Sequence, residues 1–262
     1  MRARAAIFCL HDVVPADRLD AVPVTHRPYA LTPDELRALL MEAHRSPRQG
    51  ITISRVPGEL GGAFYALTFD DGAASDYDVA FPILAELGLR ATFFVVPTVV
   101  DTPGHVTWAQ LREMVAAGME IGSHSLTHPF VHLLERAALE REFGESKRLL
   151  EARLGLPIRS ASLPRGWATP ALRPVLSDLG YRAFCTSRVA WWHPGADPLT
   201  MPRVAIRRGI AIEDFAAIVN AEPRALWRMQ AVEAAKNAAK ACLGVQGWQR
   251  LRAPLLALKE RV

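Results

Sequence analysis

Short apolar runs recur along this chain, and most are followed by a loop or by a stretch with helical periodicity. Segments 5–10, 51–54, 64–69, 91–96, 119–122, 160–163, 181–186 and 203–206 read as strands. Between them the pattern predicts helices over 33–43, 76–87, 107–118, 133–154, 169–180 and 212–219. Thr32-Pro33-Asp34-Glu35 opens the first of these as a capping box with Pro at the first helical position. Strands that run apolar without alternation are buried on both faces, and their interleaving with helices specifies a parallel sheet covered by helices. In a closed sheet of this kind the functional residues gather in the loops beyond the strands' C-terminal ends. The expected fold is α/β, an irregular seven-stranded (β/α) barrel over residues 1–220, within the size range of one domain.

Composition narrows the function classes. No apolar run approaches the ~18 residues of a membrane span. The run 5–10 is broken at once by His11-Asp12, too early for a secretory signal. Cys9, Cys185 and Cys242 are odd in number, widely spaced and without a Cys-x-x-Cys, so they read as reduced small hydrophobes. Together these features predict a cytoplasmic protein. The net charge of +4 is uneven: residues 223–262 carry +6, which leaves −2 for the rest. Residues 221–262 are expected to form a basic, amphipathic helical tail, with Leu226, Trp227, Met229, Leu243 and Trp248 set among the cations. Such a tail either packs on the barrel or lies on an anionic membrane, here peripherally at the inner face. No stacking or groove-reading motif accompanies the charge, so nucleic acid is not an expected partner.

Two strings carry the chemistry. Thr68-Phe69-Asp70-Asp71-Gly72 ends one expected strand, and Ser123-His124-Ser125-Leu126-Thr127-His128 follows another. Adjacent strand residues point to opposite sides unless the chain turns. Gly72 permits that turn, so both carboxylates can face one pocket. Residues at i and i+4 share one face of a helical turn, so His124 and His128 can chelate one ion. The bland alternatives are two solvated loop aspartates and two surface histidines. Their joint arrival at strand ends favours a divalent metal site of hydrolytic type, with a spare carboxylate as general base.

These strings resemble the first two motifs of the polysaccharide deacetylase family, the NodB-homology fold of carbohydrate esterase family 4. The likeness covers roughly residues 5–220. It implies a deformed (β/α) barrel, Asp70 as general base, and Asp71, His124 and His128 as ligands of a divalent metal, usually zinc, sometimes cobalt or nickel. It further implies a metal-dependent hydrolase that removes N-acetyl groups from an N-acetylated sugar or polysaccharide.

The later motifs depart from the family. Ser162-Leu163-Pro164-Arg165-Gly166 keeps Pro164 and Gly166 but has Ser where the family has Arg, so Arg165 is the expected charge partner of the base. Trp167, with Trp191 and Trp192, is a candidate apolar wall for the substrate. The family's Leu-x-His string, source of the general acid, has no match. His193, in Trp191-Trp192-His193-Pro194, and His11, in Cys9-Leu10-His11-Asp12-Val13, are the substitutes. The second resembles the Tyr-His-x-Val string that opens the exopolysaccharide-type branch, which favours His11. Two other functions stay open at this point: hydrolysis of small cyclic amides or ureides, and a non-catalytic metal- or glycan-binding relative.

Overall fold

The computed structural model of the protein describes residues 3–236 apart from 60 and 62, together with 238 and 247. In chain order the elements are β1 (Ala6–Leu10), α1 (Pro33–Arg45), β2 (Gln49–Gly50), β3 (Phe64–Asp71), α2 (Phe81–Glu86), β4 (Thr92–Val95), α3 (Trp108–Ala116), β5 (Glu120–Ser123), α4 (Arg136–Leu154), β6 (Ser160–Ser162), α5 (Leu172–Asp178), β7 (Ala183–Cys185), β8 (Val204–Ala205) and α6 (Ile212–Val219). Both halves of the capping box of α1 form: Thr32 Oγ1 accepts from the Glu35 N–H, and Glu35 Oε2 accepts from the Thr32 N–H at 2.8 Å.

The strands lie parallel in the order β7-β6-β5-β4-β3-β1-β8, with the two-residue β2 beside β3. The stretch leading into β8 draws the sheet into a ring. Met201 bridges Cys185 of β7 and accepts from the Thr186 N–H at 2.7 Å, while Val204 and Ala205 pair with Phe8 and Cys9 of β1. The result is the irregular seven-stranded (β/α) barrel.

Alternation along the strands sorts side chains between two cores. Phe8 and Leu10 of β1 and Tyr65, Leu67 and Phe69 of β3 point outward against the helices. Ala5, Ile7, Phe64, Ala66 and Phe94 point inward. The inward row of β3 continues through Thr68 to Asp70, and that of β1 to Cys9. The same alternation that builds the core therefore carries a hydroxyl, a thiol and a carboxylate into the barrel's C-terminal half.

Segment 51–54 does not form the expected strand. Its second half opens a 3-10 turn, Ile53–Gly58, that crosses the barrel's N-terminal end. Two of its backbone donors are taken by side chains: Ile53 N–H by Thr92 Oγ1 and Ser54 N–H by Glu120 Oε2, both at 2.9 Å. Ile51, Ile53 and Val56 join Trp192 and Met201 in the inner core, so this segment is the barrel's floor.

Past α6 the chain stays attached to the barrel. Leu226 is fully buried in the outer core, and residues 227–236 are helical with Trp227 and Val232 exposed. The remainder of the basic tail, apart from 238 and 247, lies outside the described residues. No described helix is long and apolar enough to cross a membrane.

Candidate metal centre

Asp70 and Asp71 end β3, level with Phe94 and Val95 of β4. Asp71 adopts φ 81° and Gly72 φ 75°, so the chain turns sharply through the left-handed region here. The Asp71 carboxylate thereby comes round to the histidines. Its Oδ1 is 3.3 Å from His124 Nε2 and 3.3 Å from His128 Nε2. Adjacent corners of a tetrahedron with zinc-length bonds lie roughly 3.3–3.4 Å apart. Both Asp71–imidazole separations match that spacing, and the three donor atoms lie within 4.8 Å of one another, close enough to face one ion.

His124 is delivered by β5 and is buried. Its Nδ1 lies 2.5 Å from Ser162 Oγ, which fixes the ring and leaves Nε2 for Asp71. His128 does not share a helical face with it. Residues 124–130 form a turn in which Ser125 (φ 63°) and His128 (φ 57°) are left-handed. A helix cannot form because its donors are drawn elsewhere. The Glu142 carboxylate, from α4, accepts from the Leu126 and Thr127 N–H groups, both at 3.0 Å, and from Thr127 Oγ1 at 2.8 Å. Ser125 Oγ accepts from the His128 N–H at 3.0 Å. The spacing of four thus brings the two imidazoles together through a clamped turn.

The protonation states suit ligation. Burial, with His124 beside it, brings the His128 imidazole down to about 4, so it is neutral at pH 7. Enclosure by protein would raise the Asp71 carboxyl, but the hydrogen bond from His124 and the neighbouring imidazoles hold it below the usual carboxylate range.

Asp70 stays outside this set. It is 3% exposed, and Arg203, 2% exposed, grips it from the approach to β8: Nη1 donates to Oδ1 at 2.7 Å and Nη2 to Oδ2 at 2.8 Å. Arg203 is itself held by the Thr186 carbonyl (3.1 Å) and Thr68 Oγ1 (3.0 Å). Burial alone would raise the Asp70 carboxyl, yet the guanidinium, with His124 nearby, keeps it below the usual range. His124 Nε2 is 3.9 Å from Asp70 Oδ2, so the carboxylate borders the ligand set.

Several expectations are redrawn. The charge partner of Asp70 is Arg203, not Arg165. Arg165, left-handed at φ 57°, donates to the His128 carbonyl at 3.2 Å and lies over the Phe130 ring. Ser162, where the family has Arg, is 3.4 Å from Asp70 Oδ1, and its hydroxyl is too short to replace a guanidinium. Pro164 is buried at the start of a 3-10 turn, and Trp167 packs against His132 on the metal side of the barrel. His193 is at the opposite end. Its neighbour Trp192 pairs with Ala5 ahead of β1, and its own Nδ1 contacts the Ala3 carbonyl at 2.9 Å. His193 cannot reach the metal side. His11 does: one of its nitrogens lies within 4.8 Å of both Cys9 Sγ and an Asp70 oxygen. Its buried Nδ1 has no hydrogen-bond partner among the described residues.

A sequence signal for Arg203 existed. It is a lone cation between Met201-Pro202 and Val204-Ala205-Ile206, in a segment otherwise written for burial. A buried cation requires a buried anion. Glu142 had no such signal, because it falls on a polar-looking helix.

Fold and site together define a parallel (β/α) barrel with three donors that could hold a metal ion and a separately held carboxylate. The chain belongs to the polysaccharide deacetylase family. Residues 58–184 match that family, described as polysaccharide deacetylase. A chitooligosaccharide deacetylase from Bradyrhizobium is 30% identical over 152 residues, covering 56% of this chain and 67% of that protein. Another, from Sinorhizobium fredii, is 30% identical over 140 residues, covering 51% and 62%. The chain spans only 55% and 62% of the length of two of the curated relatives it matches. Among solved structures, the Streptococcus pyogenes deacetylase PplD superposes with a TM-score of 0.75 at 20% identity, over 84% of this chain and 99% of that one, a likeness of fold.

Proposed function

We propose that the protein is a metal-dependent hydrolase that removes N-acetyl groups from an N-acetylated sugar or polysaccharide. The observation that carries this reading is an ionised carboxylate, Asp70, bordering a three-donor set that it does not join. Asp71, His124 and His128 would hold the ion, zinc first, with cobalt or nickel accepted by the same donors. Bound there, a divalent cation supplies a Lewis acid that polarises an acetyl carbonyl and acidifies water.

The protein's own residues supply the proton traffic. Asp70 accepts the proton of the attacking water, and the bidentate Arg203 fixes its orientation and keeps it ionised beforehand. His11, partly buried and within 4.8 Å of Asp70, protonates the departing amine, since an amide nitrogen leaves poorly as an anion. Phe130, His132 and Trp167 pack ring to ring beside the turn that carries His128, with Arg165 over Phe130. Such a surface suits the apolar face of a sugar. The chitooligosaccharide specificity named for two relatives supports N-acetylglucosamine oligomers as the first substrates to try.

Asp70→Asn should keep its metal and lose about 10²–10⁴ in kcat, the range for a general base. Metal loss in Asp70→Asn together with metal retention in Asp71→Asn would reverse the two roles. His11→Ala should keep metal and lower kcat, whereas His193→Ala should change neither.

A further inference from the structure

Next to the ligand set lies a second group of donors. Cys9 Sγ, a His11 nitrogen and an Asp70 oxygen all fall within 4.8 Å of one another. Cys9 is 6% exposed and points into the barrel, with Sγ 3.6 Å from Asp70 Oδ2. Its thiol is the donor in that contact. A carboxylate offers about four lone-pair positions. In Asp70 the two Arg203 nitrogens take one position on each oxygen, and the Cys9 S–H takes a second on Oδ2. Removing the thiol proton frees one position on Oδ2 and creates a thiolate facing it. His11, partly buried, adds the imidazole and connects the group to the outside.

We propose that Cys9, His11 and Asp70 form a second, inhibitory binding site for a thiophilic divalent cation such as zinc or cadmium. The ion takes the place of the thiol proton, which leaves to solvent, and sits between Sγ and Oδ2 with His11 as third ligand. Tetrahedral bonds to sulfur, nitrogen and oxygen need ligand separations of roughly 3.4–3.7 Å, so the present 3.6 Å contact fits and His11, within 4.8 Å of both partners, has at most about an ångström to close. Soft sulfur and nitrogen donors select zinc or cadmium over magnesium or calcium. Occupancy ties up both Asp70 and His11 and therefore stops turnover while the first ion remains in place. The inhibition rests on the roles proposed above for these two residues; the binding does not.

The test titrates protein carrying one equivalent of zinc with cadmium, following the ultraviolet thiolate-to-cadmium charge-transfer band, bound metal and acetate release. Asp71, His124 and His128 contain no sulfur, so the band reports the second site alone. It should saturate at one further equivalent, be absent in Cys9→Ala, persist in Cys185→Ala and Cys242→Ala, and need at least tenfold more cadmium in His11→Asn. Acetate release should fall in step with it. No band in the parent protein, or a band that survives Cys9→Ala, overturns the site. If Cys9→Ala does not fold, an unchanged titration in His11→Asn overturns it equally. A band that forms without loss of rate leaves the site standing and removes Asp70 and His11 from the reaction.

Discussion

Arg203 decides how Asp70 behaves. Two charges buried this deeply are stable only as a pair, and removing one partner typically costs about 3–5 kcal/mol. Arg203→Met should therefore destabilise the protein and leave the Asp70 carboxyl to the burial that raises it. Because Asp70 is held low in the folded protein, the pair's contribution is fully present above the unfolded carboxylate value near 3.9 and is lost only as pH falls through the lower, folded one. In Arg203→Met that order inverts, and the acidic limb of the pH–rate profile should move to higher pH. Arg203→Lys, which keeps the charge without the fork, should move it less. An acidic limb unmoved in both variants would show that Asp70 does not titrate in the reaction. The contrast with Arg165 shows what was legible at this scale. Asp70, Asp71, His124 and His128 were readable because they cluster in two short strings. Arg203 acts from 133 residues away, and only the closing of the ring brings it to Asp70.

At the scale of elements, the turn between β5 and α4 is the feature that brings two histidines to the same carboxylate. Glu142 replaces the hydrogen bonds a helix would have made, and it does so from a helix that otherwise only covers the barrel. Glu142→Gln should weaken metal binding about 10–100-fold, the usual effect of disturbing the groups that orient ligands. The metal-free protein should melt nearly as before, which separates positioning from general stability. Equal loss in metal affinity and in metal-free stability would assign Glu142 to packing instead. Most strands were legible because apolar runs and their bounding turns coincide. Segment 51–54 was not, because its sequence satisfies an inner core equally well as a strand or as a floor. Side chains as far away as Glu120 settle which.

At the scale of the whole molecule, the barrel and the basic tail are joined by more than sequence. Leu226 is buried in the outer core, so a cut that spares the fold must fall beyond it. Truncation after residue 236 should preserve metal binding and activity. If the cations beyond that point dock on anionic membrane, the same truncation should abolish salt-sensitive binding to phosphatidylserine vesicles, at about 1 kcal/mol per Lys or Arg. Vesicle binding that survives truncation would assign the contact to the barrel or to the exposed Trp227.

The most direct test of the central claim is product analysis on metal-loaded protein with N-acetylglucosamine oligomers. Acetate and free amine should appear one for one, and Asp70→Asn, loaded to the same metal content, should release both at least a hundredfold more slowly, at the low end of the range for a general base. Full metal occupancy with no acetate from any N-acetylated glycan, or an undiminished rate in Asp70→Asn, would contradict the account.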